Sequence, residues 1–292
     1  MNKAAVFILL GQSNAVGHDL PMREEDKITV PLKYVFKADR AENQSLCSDS
    51  IIWSGYTSRG VNLAEEQDDT YSLANCLAAI WEKNAEPLKL PELYIIQIAI
   101  GAQGVTEGFM WNPDYPEKLI PGRLGTVDIS LYSYTCRVLS RLNSFFKRQN
   151  REYEVIGLHW RGGEEDMSAK RSVLTSSLKS TYCTLFAGFC KSLGKKPNIF
   201  LHRLYCFERA NMLDPTGGYL KNTEYINNVF DELAEENENI KIFSFSDYPK
   251  FCEKQKGYGL FKEDMVHYTA EANLWAAEKI LNDFTGSKNE RE

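Results

Sequence analysis

Several features are scarce in this sequence, and each scarcity excludes a class of protein. No run of about 18 apolar residues occurs, so a membrane-spanning helix is not expected. Basic residues are not in surplus: 34 Lys and Arg stand against 40 Asp and Glu, a formal net charge of −6. Nothing there favours a phosphate backbone, and nucleic acid is not an expected partner. The seven cysteines, at 47, 76, 136, 183, 190, 206 and 252, form no CxxC pair and no His/Cys cluster at zinc spacing. Reduced, mostly buried thiols and no metal site are expected. Histidine is rarer still, with only His18, His159, His202 and His267. Lys3 and the apolar run from Ala4 to Leu10 resemble the start of a secretion signal, but the run is short and leads into Gly11-Gln12-Ser13-Asn14 without a small-residue cleavage site. It reads as a first core strand, in a cytoplasmic protein.

What is present is alternation. Short apolar runs at 4–10, 93–100, 153–158, 198–205 and 240–245 read as buried strands, and stretches at 71–84, 129–149, 172–193, 223–236 and 270–285 have helical spacing. In the last of these Leu274, Ala277, Leu281 and Phe284 are expected to share one face. Alternating elements of this kind predict a parallel sheet covered by helices on both faces, an α/β fold. The 292 residues suit a single domain spanning the chain. The segments near 17–70 and 102–128, rich in charge, Gly, Pro and aromatic residues, read as pocket-forming insertions at the carboxyl ends of strands. Residues 285–292 read as a frayed polar tail.

Ser13 follows the first strand within three residues. A hydroxyl attacks an acyl carbon only when a base takes its proton and when it stands on an exposed strand-to-helix turn. The same turn aims backbone N–H groups at the place where an oxyanion develops. A polar turn that merely caps a helix would look alike in isolation. For the base, His267 stands before a terminal helix whose expected N-cap is Thr269, and Asp264 precedes it by three residues, within reach of the imidazole. His18, with Asp19 beside it, is the other candidate, although its closeness in sequence to Ser13 makes an in-line contact awkward. His202 reads as a hydrogen-bonded core residue and His159 as a supporting one.

Taken together, these segments resemble the SGNH hydrolase superfamily, and within it the sialate O-acetylesterase and acetylxylan esterase group, carbohydrate esterase family 6. Four segments carry the resemblance, in order: Gly11-Gln12-Ser13-Asn14; Ala99-Ile100-Gly101 followed by Trp111; Trp160-Arg161-Gly162-Gly163-Glu164-Glu165-Asp166; and Asp264-Met265-Val266-His267. The resemblance implies a three-layer α/β/α sandwich of flavodoxin-like type, hydrolysis of O-acetyl esters on carbohydrates, and no cofactor. It makes Ser13 the nucleophile, His267 the base and Asp264 the orienting acid, with Glu164 as the alternative acid. It also implies an oxyanion hole from the N–H groups of Ser13 and Gly101. The third segment departs from the family's Trp-His-Gln-Gly-Glu-Ser-Asp: Gly162 stands where the glutamine donates to the oxyanion, and Arg161 replaces the histidine. A replacement donor is expected from Arg161, from Gln103 or from the N–H groups of Gly162 and Gly163. Arg161 as the donor would favour an acidic sugar, whereas a surface pairing with Glu164 or Glu165 is its other reading. Gln12, Asn14, Gln103 and Trp111 are the expected substrate contacts, with Trp53, Tyr56 and Tyr115 as further aromatic faces for sugar rings.

Overall fold

The computed structural model describes residues 3–40, 46–47, 51–117, 129–206, 217–251 and 259–289. Strand β1 (Ala4–Gly11) contains no charged or polar side chain, and every residue of it is buried. Such a strand is stable only with neighbours on both edges and both faces, since each large aliphatic side chain taken from water contributes roughly 1.5–3 kcal/mol. It accordingly lies inside a seven-stranded sheet ordered β3-β2-β4-β1-β5-β6-β7. The flanking strands are β2 (Val35–Asp39), β3 (Ile52–Gly55), β4 (Leu93–Ala99), β5 (Tyr153–Arg161), β6 (Ile199–His202) and β7 (Ile240–Phe243). All pairings are parallel except that of β3 with β2.

The period of two in β1 divides the core. Ala4, Val6, Ile8 and Leu10 enter the layer built with α3 (Leu131–Arg148), α4 (Arg171–Leu193) and α5 (Gly218–Glu236), and Ala5, Phe7 and Leu9 enter the layer of α2 (Leu73–Ala85) and α6 (Ala270–Asn289). The result is the expected α/β/α sandwich. Helix starts follow local chemistry: the hydroxyls of Ser72 and Ser130 accept from the N–H groups of Asn75 and Ser133 at 3.2 and 3.1 Å. Thr269 caps α6 as expected, accepting from the Ala272 N–H at 3.2 Å. No described helix is long and apolar enough to cross a membrane. Cysteines 47, 76, 136, 183, 190 and 206 are free thiols, and Cys252 lies outside the described residues.

Three readings of the sequence are corrected. The segment 17–70 is not wholly irregular, since it supplies β2 and the antiparallel edge strand β3. Lys37 hides β2 from an apolar pattern: it is buried, with Nζ donating to the Thr57 hydroxyl at 2.9 Å and to the Arg59 carbonyl, and with the Asp39 carboxylate 3.4 Å away. On α6, Leu274 is 44% exposed, and Ala276, Ala277, Ile280 and Leu281 form the buried face. The face is turned by about one residue because it packs along α2, where Phe284 meets Trp81. Residues 102–117 fold mostly downward, burying Val105, Met110 and Trp111, whereas 118–128 lie outside the described residues.

Asp166 holds that segment in place. Its carboxylate accepts the N–H groups of Val105 and Thr106 at 3.0–3.1 Å, and burial pushes its pKa up to about 6 although these bonds pull it down. Replacing Asp166 by Ala leaves two buried amide donors without an acceptor, each worth about 1–3 kcal/mol. Urea unfolding of Asp166→Ala should therefore show a loss of roughly 2–5 kcal/mol; a loss under about 0.5 kcal/mol would contradict this role.

Candidate active site

The end of β1 makes the turn that presents Ser13. Gln12 continues the ladder by donating its N–H to the Arg161 carbonyl at 2.9 Å, and its own carbonyl accepts from Ala15 and Val16 at 2.7 and 3.0 Å. Ser13 thus opens the one-turn helix α1 (Ser13–Val16), which closes on Gly17 in the left-handed conformation. Gly11 cannot carry a side chain: a Cβ there would lie 1.8 Å from the Arg161 carbonyl oxygen, and its φ is +142°. Ser13 lines a cavity of about 530 Å³. The walls come from the ends of several parallel strands: Ile100 to Ala102 after β4, Glu164 and Glu165 after β5, Leu204 to Cys206 after β6, and Met265 to Tyr268 before α6. This is where open α/β sheets bind ligands. Of the two segments read as insertions, 17–70 contributes His18 and Glu65 to the walls, and the described part of 102–128 contributes Ala102.

His267 lines the same cavity as Ser13. It sits on a tight turn in which Met265 has a φ of +63°, and Asp264 organises that turn. One carboxylate oxygen of Asp264 accepts the N–H groups of Val266 and His267, both at 2.9 Å, and the other faces His267 Nδ1 at 2.9 Å. Burial pushes the Asp264 pKa up, but these N–H donors and the imidazole together bring it below the usual carboxylate value. An ionised Asp264 holds the proton on Nδ1 and leaves Nε2 as the acceptor, the tautomer a general base requires. His18 also reaches the cavity; its ring lies 5.4 Å from that of His267, and its Nε2 is 3.3 Å from the exposed Asp19 carboxylate.

Asn14 has a different task from the expected substrate contact. Only 3% exposed, it does not line the cavity. Its amide donates to Glu164 Oε1 at 2.7 Å and to the Val266 carbonyl at 3.0 Å, and its Oδ1 accepts from the Tyr268 N–H at 3.0 Å. One side chain thereby fastens the serine turn, the end of β5 and the histidine loop together. Glu164 lines the cavity, with Oε2 buried and unpartnered, and burial raises its pKa against the pull of Asn14. No bond between Glu164 and His267 occurs, so Asp264 is the carboxylate that touches the imidazole.

The expected oxyanion donors are arranged otherwise. Gly101 is close to Ser13, since a Cβ on it would lie 4.0 Å from that of Ser13, but its N–H donates to Glu65 Oε2 at 2.9 Å. Arg161 is 1% exposed and does not line the cavity. Its Nε donates to His202 Nδ1 at 3.2 Å, its Nη1 to the Asn273 side chain and the Asn14 carbonyl, and it lies 4.9 Å from the Tyr268 ring. It pairs with neither Glu164 nor Glu165, so both readings of this arginine fail. Burial lowers its pKa to about 10, still well above neutrality. Because a guanidinium only donates, His202 accepts at Nδ1 and donates its Nε2–H to His159 Nδ1, 2.9 Å away. Burial holds both imidazoles well below the usual histidine value, as neutral core groups, in keeping with the reading of His202 and the supporting reading of His159.

Gly162 and Gln103 do not line the cavity either. A Cβ at Gly162 would lie 2.9 Å from the Trp160 indole, which takes up the room for a side chain, and Gln103 accepts from the Met110 N–H at 3.1 Å. Trp111 is fully buried, donating to the Gly11 carbonyl at 2.9 Å and meeting Trp160 edge-on. Tyr56 is buried on Asn75, Trp53 packs on Tyr94 and Phe145, and Tyr115 lines a separate groove. Of the expected substrate contacts, only Gln12 lines the cavity. Its aromatic walls are Tyr205, Tyr219, Phe261 and Tyr268, which the sequence reading missed. The neighbourhood of Phe261 and Tyr268 to His267 in the chain is the one signal that could have found two of them.

No family model and no curated protein matches the chain. Among solved structures, NanS superposes with a TM-score of 0.60 over 97% of this chain and 98% of that one, at 15% identity. The carbohydrate acetylesterase XAC1771 from Xanthomonas citri is similar at 12% identity and a TM-score of 0.47, covering 94% of this chain and 54% of that one. A single-residue variant of Axe2, an acetyl xylan esterase from Geobacillus stearothermophilus, is similar at 11% identity and a TM-score of 0.41, covering 98% and 95%. The likeness to NanS is one of fold, a mostly parallel sheet between two helical layers.

Replacing Asn14 by Ala leaves the Tyr268 N–H and the Glu164 carboxylate without their partner. Urea unfolding of Asn14→Ala should show a loss of roughly 2–4 kcal/mol. A variant as stable as the parent would show that the clamp does not hold the loop.

Proposed function

We propose that this chain is a serine esterase that removes acetyl groups from a small carbohydrate. The observation that carries the proposal is the His267–Asp264 pair, bonded at 2.9 Å on the wall of the cavity into which Ser13 opens. Ser13 Oγ attacks the acetyl carbonyl carbon as His267 Nε2 takes its proton. The tetrahedral oxyanion is held by the N–H groups of Ser13 and Gly101, the latter once Glu65 has released it. The intermediate collapses, the sugar oxygen leaves with the proton from His267, and the acetyl group remains on Ser13. Water attacks this ester with His267 again as base, and acetate and free Ser13 result. Asp264 keeps the imidazole in the required tautomer and stabilises its cation.

A cavity of about 530 Å³ has room for a sugar ester. Gln12, Glu65 and Glu165 offer acceptors for hydroxyl groups, and Tyr205, Tyr219 and Phe261 offer ring faces. Ile100, Met167, Leu204 and Met265 add apolar wall, which favours as a second reading an ester with a longer acyl chain. A series of 4-nitrophenyl esters from acetate to octanoate separates the two: the acetylesterase reading requires kcat/KM to fall with chain length.

Ser13→Ala should lower hydrolysis of 4-nitrophenyl acetate by at least roughly a thousandfold with an unchanged circular dichroism spectrum, and wild-type turnover by a folded variant would refute the proposal. His267→Ala should lose a comparable factor, whereas His18→Ala should stay within about threefold of the parent. The reverse outcome would move the base to His18. Asp264→Asn is expected to reduce kcat by roughly 10²–10⁴, and Glu164→Gln by less; the opposite ranking would make Glu164 the triad acid.

A further inference from the structure

The Glu65 carboxylate stands where an esterase least needs one. Residue 101 follows β4, whose Ala99 is in register with Gly11, and this brings Gly101 beside the Ser13 turn. That N–H is already occupied, at 2.9 Å, by Glu65 Oε2. A developing oxyanion would meet a full negative charge on the donor it requires, and like charges at such range repel. No Lys or Arg among the described residues neutralises this carboxylate: Arg40 bonds the backbone carbonyl of Glu65 at 2.7 Å but turns its other amine to Asp68 at 2.8 Å. The other ionisable groups on the cavity wall, tyrosines aside, are the carboxyl groups of Glu164 and Glu165 and the imidazoles of His18 and His267. Glu164 Oε2 is a second acceptor there with no partner.

Resting on the esterase reading, we propose that Glu65 selects the substrate: a sugar acetate carrying a free ammonium group. The ammonium takes the place of the missing counter-ion and draws Glu65 off the Gly101 N–H, which is then free to bind the oxyanion. A neutral sugar ester leaves Glu65 on the donor and reacts more slowly. An anionic one is repelled by the carboxylates. The choice runs opposite to the preference for acidic sugars expected from Arg161, because that cation is turned into the core.

The test compares kcat/KM for acetate release from O-acetylated glucosamine, O-acetylated glucose and O-acetylated sialic acid at mildly acidic pH, in the parent and in Glu65→Gln and Glu65→Ala. The parent should prefer the cationic ester to the neutral one by roughly tenfold and disfavour the anionic one further. Glu65→Gln should shrink the cation preference to about twofold or less, and Glu65→Ala should raise hydrolysis of neutral 4-nitrophenyl acetate roughly tenfold by freeing the donor. A parent that prefers the anionic ester, or ratios unmoved by Glu65→Gln, would overturn the proposal. Calorimetric titration of Ser13→Ala with O-acetylated glucosamine, with and without Glu65→Gln, reads the selection without turnover. Binding that depends on Glu65 in a protein with no hydrolytic activity would sink the esterase reading alone; hydrolysis with no dependence on Glu65 would sink the selection alone.

Discussion

The Asn14 side chain joins three stretches of chain that are otherwise far apart in sequence. Its amide holds Glu164 and the Val266 carbonyl, and its carbonyl holds the Tyr268 N–H. These bonds fasten the serine turn to the loop carrying His267, which Asp264 and the Lys262 N–H bond to the His267 carbonyl at 2.8 Å shape from within. Since Asn14 is the residue after Ser13, the clamp and the proposed nucleophile share one turn, and any shift of that turn carries both. Such coupling suits a site in which positioning supplies much of the barrier lowering.

Beneath the clamp lies an unusual polar layer. Arg161 is buried among His202, Asn273, Asn14 and the faces of Tyr268 and Phe245, with no carboxylate in ion-pair range among the described residues. A buried cation is costly unless its donors are met. Here neutral acceptors and aromatic faces meet most of them, and the two neutral histidines continue the chain of donors toward the sheet interior. The layer sits under Tyr268, and so under the histidine loop, which it supports from below. Arg161, at the end of β5, turns away from the cavity.

Elsewhere on the cavity wall the Gly101 amide meets Glu65 instead of a ligand. The two parts of the site differ in physical character: the Asp264–His267–Asn14 part is held by a set of hydrogen bonds, whereas the Glu65 part presents a carboxylate with no fixed counter-ion among the described residues. A bonded side holds geometry, and a charged, unpaired one leaves room for a ligand to decide its arrangement.

By itself the sequence determined the layers of the fold, because β1, β4 and β5 are apolar enough to be strands and the helices between them have the right period. It also brought forward Ser13 and the Asp264–His267 pair, whose bond is local and needs only a turn of four residues. It did not determine β2, where Lys37 interrupts the apolar pattern and is satisfied by partners distant in the chain, or the face of α6, which packing against α2 sets. The tasks of Arg161, Trp111, Gln103 and Asn14 were decided by the tertiary structure alone. A side chain at a strand end can point to the cavity or to either helical layer, and the choice rests on register and on neighbours such as His202, Gly11 and Met110, which no local pattern contains. The same holds for Glu65: only the packing of the 61–65 segment against the end of β4 sets its carboxylate on the Gly101 amide.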